Sequence, residues 1–177
     1  MREIEIKAHA RDIDSVLGAL RSELGEGKGV HKHDRYFRRP GEAVQSMRIR
    51  RFPDRLEFTT KVNSREDGAE DNREYEFTAP LEELEGAVAF FHALGHEDFF
   101  IKEKDGYEWQ RGDAHIELLS VNDLGWFLEI EVLLPFDSTA SEAEAAREEI
   151  KALLKLYGVS EDDIETRAYR DMILGAQ

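Results

Sequence analysis

The feature that most constrains this chain is a period-two alternation of charged and apolar residues that recurs along it. It opens with Glu3-Ile4-Glu5-Ile6-Lys7. Successive side chains of a strand point to opposite faces, so the two carboxylates and the ammonium share one face and the isoleucines the other. The same pattern returns in Met47-Arg48-Ile49-Arg50, in Glu57-Phe58-Thr59-Thr60-Lys61 and in Arg73-Glu74-Tyr75-Glu76-Phe77. It returns again in Ile101-Lys102-Glu103-Lys104 and in Leu128-Glu129-Ile130-Glu131-Val132. A helix would scatter these charges around its circumference, whereas a strand collects them.

Alternation predicts strands over residues 2–8, 30–38, 45–52, 55–62, 72–79, 98–109, 113–120 and 126–134. Residues 52–55 and 111–113 read as hairpin turns, and the polar stretch 63–72 reads as a loop. Apolar residues at helical spacing, led by Asp12 as N-cap, predict a helix over 12–24. Further helices are expected over 81–94, over 138–157 with Gly158 after its end, in a short turn from residue 160, and around 167–174. Short connections favour antiparallel pairing. The fold class is therefore α+β, with an eight-stranded antiparallel β-barrel and peripheral helices, in a single domain over 1–177.

Rolled into a barrel, the charged faces would converge. One sign is supplied by Glu3, Glu5, Glu74, Glu76, Glu129 and Glu131, the other by Lys7, Arg48, Arg50, Lys61, Lys102 and Lys104. Burying such a set for structure alone is unfavourable, because each ion has a desolvation cost of several kcal/mol. Clustered carboxylates are hard oxygen ligands for Mg²⁺ or Mn²⁺, and clustered Lys and Arg bind phosphate oxygens. The pattern thus points to a polyphosphate and its metal held between the two sets. Arg48, Arg50 and Lys61 would repel one another without a counter-charge. They are expected to be balanced by Glu57, Glu74 or Glu76, or by a bound anion, so that Arg50→Ala leaves the fold intact or firmer.

The net charge of -15 argues against nucleic acid or anionic membrane as partner. The absence of cysteine excludes disulfides and thiolate chemistry. Glu3 and Glu5 stand where a signal peptide would need apolar residues, so a cytoplasmic monomer or homodimer is expected.

These residues, in this order, resemble the CYTH superfamily, the triphosphate tunnel metalloenzymes. Glu3-x-Glu5-x-Lys7 is similar to its ExExK signature. Asp34-Arg35-Tyr36-Phe37 resembles its D-x-Y-F segment, Arg48-x-Arg50 its R-x-R, and Lys61 its strand-terminal lysine. Glu74-x-Glu76 resembles the middle E-x-E. Lys102-x-Lys104, with Tyr107 after it, stands where K-x-R and a tyrosine are usual. Leu124-Gly125-Trp126-Phe127-Leu128-Glu129-Ile130-Glu131 resembles LG-x-F-x-E-I-E, and Tyr169 with Leu174 resembles the closing S-Y-x-x-L-L. The length and the Asp-x-Tyr-Phe segment are most similar to the class IV adenylyl cyclase and thiamine triphosphatase group. The sequence departs from the family at Leu119, where an aspartate is common, and at Lys104, where arginine is usual. Glu117, two residues before Leu119, could supply the carboxylate from a shifted position.

The resemblance implies a tunnel binding a triphosphate with a divalent metal. Glu3, Glu5, Glu129 and Glu131 would hold Mg²⁺ or Mn²⁺. Lys7, Arg48, Arg50, Lys61, Lys102 and Lys104 would grip phosphate, with Lys61 also counted among the catalytic residues. A water near Glu74 or Glu76 would attack the terminal phosphoryl group of tripolyphosphate, thiamine triphosphate or a nucleoside triphosphate. The alternatives are cyclisation of ATP to cyclic AMP and pyrophosphate, or binding of a polyphosphate or nucleotide without catalysis. An adenine could be received by Tyr36, Phe37 or Trp126. His31 and His33 read as surface residues, His92 and His96 are separated by the helix-ending Gly95, and Arg167 or Arg170 could face substrate from the last helix.

Overall fold

The computed structural model describes residues 2–41, 47–66 and 69–175, with side chains described outside 61–66 and 69–74. Among these residues eight strands form: β1 (Arg2–His9), β2 (Lys28–Arg38), β3 (Met47–Arg51), β4 (Leu56–Glu66), β5 (Ala69–Ala79), β6 (Glu97–Arg111), β7 (Ala114–Val121) and β8 (Trp126–Leu134). Among the described residues four α-helices accompany them: α1 (Ile13–Leu24), α2 (Leu84–Ala93), α3 (Ala140–Leu156) and α4 (Tyr169–Gly175). Short 3₁₀ turns occupy Leu81–Glu83 and Glu161–Asp163. The strand order is β1-β5-β4-β3-β2-β6-β7-β8, and β8 pairs with β1, so the sheet closes and has no free edge. The antiparallel barrel expected from alternation is present.

Residues 63–66 and 69–72 depart from the loop reading, and 67–68 lie outside the described residues. β4 continues to Glu66 and β5 begins at Ala69. β5 pairs with β1 through this stretch, with Glu3 opposite Asn72 and Glu5 opposite Glu70. Strand pairing is satisfied by backbone groups, so a neighbouring ladder extends a segment whose side chains carry no strand signal.

Backbone contacts group the chain into two compact units. The first holds 1–31, 63–73 and 104–177; the second holds 32–62 and 74–103. In the first, the apolar faces of β1, β7 and β8 are buried: Ile4, Ile6, Ala8, Ile116, Leu118, Leu128 and Ile130 pack with Val16 and Leu20 of α1 and with Ile150, Leu153 and Leu154 of α3. Fully burying one such side chain contributes about 1.5–3 kcal/mol. The helices therefore cover the isoleucine side of the opening strand, which leaves the charged side facing the other way.

The helix ends follow the sequence closely. Asp12 accepts a hydrogen bond from the Ser15 amide at 3.0 Å. Thr139 and Glu142 form a reciprocal capping box at the start of α3. Gly158, at φ +81°, takes the left-handed conformation beyond its end.

In the second unit Phe37, Ile49, Leu56, Phe58 and Phe91 form a separate core against α2. A third cluster, Leu119, Val121, Phe127, Tyr169 and Met172, belongs to the first unit and anchors α4. No helix among the described residues is long and apolar enough to cross a membrane.

Candidate active site

The charged faces resolve into two clusters, one within each unit. In the first unit the register sets Glu5 of β1 opposite Glu131 of β8, and Lys7 opposite Glu129. Carboxylate oxygens of Glu3, Glu5 and Glu131 lie within 4.8 Å of one another. Three anionic oxygens this close suit a small hard cation, and an all-oxygen set is the donor chemistry of Mg²⁺ and Mn²⁺. The residues present thus fit the metal that the family resemblance implies.

Glu129 is turned to other partners. It accepts a hydrogen bond from Lys104 Nζ at 2.5 Å and another from the Tyr169 hydroxyl. Two residues along a strand are about 6.8 Å apart, enough for Glu129 and Glu131 to serve different neighbours. Lys7 and Lys104 lie 5.3 Å and 4.9 Å from the centre of the Tyr169 ring. Burial alone would lower the Lys104 ammonium; the charges of Glu129, Glu117 and Glu5, with the Glu129 hydrogen bond, outweigh it and raise it to about 12. The field at this cluster is negative and favours cations.

The second cluster is built around Asp34, which is completely buried. Arg50 grips its carboxylate twice, while Lys102 Nζ lies 3.6 Å and Arg48 Nη1 4.0 Å from Oδ2. Burial would raise the Asp34 carboxyl. The Arg50 hydrogen bond and the charges of Lys102, Arg50 and Arg48 reverse this and hold it far below the ordinary carboxylate range. Arg48 also donates to Thr59 Oγ1 at 2.7 Å and reaches Glu57 at 3.3 Å and Glu76 at 3.5 Å. Tyr36 lies beside Lys102. Burial would raise its phenol too, yet Lys102 and Arg48 bring it below its usual value. Both groups are displaced toward their anions by the cations beside them, Lys102 and Arg48 for Tyr36 and Arg50, Lys102 and Arg48 for Asp34.

The balance expected for the cations is therefore only partly as read from sequence. Glu57 and Glu76 do face Arg48, but the counter-ion of Arg50 is Asp34. The side chains of Lys61 and Glu74 lie outside those described. Glu117 is buried opposite Glu129 on β7, and Leu119 is fully buried beside Phe127. Arg167 pairs with Glu165 and Arg170 with Asp171, so the residue of α4 that enters the first cluster is Tyr169.

His31 and His92 are exposed and pair with Asp105 and Asp98. Phe37 belongs to the second unit's core and Tyr36 stacks on Phe100 at 4.3 Å. Trp126, by contrast, lines an open cavity of about 460 Å³ with Gly29, Val30, His31, Asp105, Gly106 and Tyr107. Sequence reasoning did not single out Glu108 and His115 together. Their signal was parity: residues 104, 106 and 108 share one face of β6, as 115, 117 and 119 share one face of β7.

The closed antiparallel sheet with charged inward positions defines a class, and comparison with known proteins identifies it. The model of the CYTH domain matches residues 1–169, and the chain belongs to that family. The fold is the CYTH triphosphate tunnel fold, whose enzymes include triphosphatases and adenylyl cyclases and typically depend on divalent metals.

Solved structures agree in fold. The PH1819 protein of Pyrococcus horikoshii is 23% identical, with 99% of each chain covered and a TM-score of 0.84. A conserved hypothetical protein from Pyrococcus furiosus is 26% identical over 96% of this chain and 98% of its own, at 0.79. A Hippeastrum protein proposed as an adenylyl cyclase, with a dominant triphosphatase activity, is 16% identical over 99% of this chain and 95% of its own, at 0.65. None of the curated proteins compared matches the chain.

Proposed function

We propose that residues 1–177 act as one domain in the cytoplasm, a divalent-metal-dependent triphosphatase. The observation that carries this reading is the convergence of Glu3, Glu5 and Glu131 within 4.8 Å. These three would hold Mg²⁺ or Mn²⁺, with Glu129 beside them on β8. The bound cation would neutralise phosphate charge and polarise the P–O bond that breaks.

The chain's own residues do the rest. Lys7 and Lys104 are poised over Tyr169 to meet phosphate oxygens. In the second unit Arg48, Arg50, Lys102 and Lys61 would supply charge-assisted hydrogen bonds to phosphate. Glu76 accepts a hydrogen bond from Thr59 Oγ1 at 2.9 Å and its side chain is 41% exposed. A carboxylate fixed on one side and open on the other can orient a water, with Glu74 as its companion. Catalysis then rests on positioning and electrostatic stabilisation, with no covalent nucleophile.

The decisive experiment incubates the protein with tripolyphosphate, thiamine triphosphate, ATP and GTP in Mg²⁺ or Mn²⁺, and follows phosphate, pyrophosphate and cyclic nucleotide. Phosphate release is expected. Cyclic AMP with pyrophosphate would make the protein a class IV adenylyl cyclase. Metal-dependent binding without turnover would make it a polyphosphate or nucleotide binder.

A further inference from the structure

Three donors outside the Glu3–Glu5–Glu131 group meet on the first unit's sheet. Glu108 of β6 stands directly opposite Glu117 of β7, and His115 is one step along the same face. One ligand atom from each lies within 4.8 Å of the others. His115 Nε2 is 3.5 Å from Glu108 Oε2 and 3.9 Å from Glu117 Oε1. Around a tetrahedral ion with bonds of about 2.1 Å, donor atoms are separated by roughly 3.4 Å. A small inward movement of these side chains would reach that spacing.

The remaining atoms are placed for the same purpose. Metal-bound histidine generally donates its other ring N–H to a carboxylate, which fixes the tautomer. His115 Nδ1 lies 3.6 Å from Glu131 Oε1, across the β7–β8 pairing. The other oxygen of Glu108 accepts from Lys28 Nζ at 2.5 Å, which leaves Oε2 turned to His115. His115 is 30% exposed and Glu108 20%, so an ion has a route in, while Glu117 is buried.

We propose that Glu108, His115 and Glu117 form a second metal site, selective for a borderline first-row divalent ion such as Zn²⁺ over Mg²⁺. The selectivity follows from the imidazole. One nitrogen with two carboxylate oxygens suits Zn²⁺, Co²⁺ or Fe²⁺, whereas Mg²⁺ is held by oxygen alone. Glu131 joins this site to the oxygen-only group: it faces Glu3 and Glu5 on one side and His115 on the other. The Zn²⁺ site itself does not depend on the triphosphatase reading.

Titration of the full chain with Zn²⁺ by calorimetry, in excess Mg²⁺, tests the site. One Zn²⁺ per chain is expected. His115→Gln should abolish it, Glu108→Gln should weaken it at least tenfold, and Glu131→Gln should weaken it about 10- to 100-fold as an outer-shell change. Glu3→Gln should leave Zn²⁺ binding in place. Absence of Zn²⁺ binding in excess Mg²⁺, unchanged binding in His115→Gln, or equal loss in Glu3→Gln would overturn the site. Should the His115 and Glu108 variants not fold, Co²⁺ added to the unaltered chain in excess Mg²⁺ decides it. Paramagnetic shifts are expected in the ring resonances of one histidine; shifts in several histidines or in none would overturn it.

Discussion

Arg50 holds Asp34 through two parallel hydrogen bonds, Nε to Oδ1 at 2.6 Å and Nη2 to Oδ2 at 2.9 Å. The carboxylate is completely buried, and Arg48 and Lys102 approach it as well. Asp34 is thus the charge around which the second cluster is assembled. Asp34→Asn keeps the shape and removes that charge, leaving buried cations uncompensated. Unfolding in urea should show a loss of about 3–5 kcal/mol, the scale for breaking a buried ion pair. Arg50→Ala should also destabilise, because it strands Asp34. This reverses the expectation that removing a cation among cations firms the fold. A urea midpoint unmoved in both variants would refute the assignment.

The same pair sets the acid limit of stability. The Asp34 carboxyl lies far below its ordinary range in the folded chain. The unfolded chain therefore binds a proton first as pH falls. The Asp34 contribution is complete above the unfolded value of about 3.9 and is lost progressively as pH falls from there toward the folded value. Urea midpoints measured downward from pH 6 should fall less steeply in Asp34→Asn than in the unaltered chain.

Lys104 acts at the other end of the scale. Its folded value of about 12 lies above the unfolded one of about 10.4, so its stabilisation is whole below pH 10 and is lost as pH rises through about 12. NMR titration of the Lys104 side chain should return the raised value. In Glu129→Gln it should move back down, since the strongest opposing charge is gone.

Glu129 and Glu131 should part company on mutation. Glu131 converges with Glu3 and Glu5, whereas Glu129 is occupied by Lys104 and Tyr169. Glu131→Gln should weaken Mg²⁺ or Mn²⁺ affinity by at least about tenfold, one charge-assisted contact being worth about 1.5–3 kcal/mol, with a small change in thermal midpoint. Glu129→Gln should lower the thermal midpoint more and metal affinity less. Calorimetric metal titration beside thermal melts separates the two, and an equal effect on both measures in both variants would count against the division.

Tyr169→Phe removes the hydroxyl that donates to Glu129 and leaves the ring among Phe127 and Met172. A loss of about 1.5–3 kcal/mol is expected, as for a hydrogen bond to a charged group. Amide exchange should then quicken in α4 before it does in β1 or β8.

Local chemistry determined much of this protein directly. Alternation in Glu3-Ile4-Glu5-Ile6-Lys7 assigns each side chain a face, and repetition in six segments made a closed sheet with charges on one side legible. Asp12 and Gly158 marked helix ends, because capping is settled within a few residues. Tertiary pairing decided what alternation left open. Residues 70–72 look like part of a loop until β1 lies beside them. Parity puts Glu129 and Glu131 on one face, but only tertiary contacts send Glu129 to Lys104 of β6 and Tyr169 of α4, and Glu131 to Glu3 and Glu5 of β1. Asp34 finds Arg50 from a different strand, and Glu108 finds His115 and Glu117 in the same way. A strand's own sequence fixes which face a side chain takes; the partner it meets there depends on register with strands distant in the chain, and register is fixed only when the whole sheet closes.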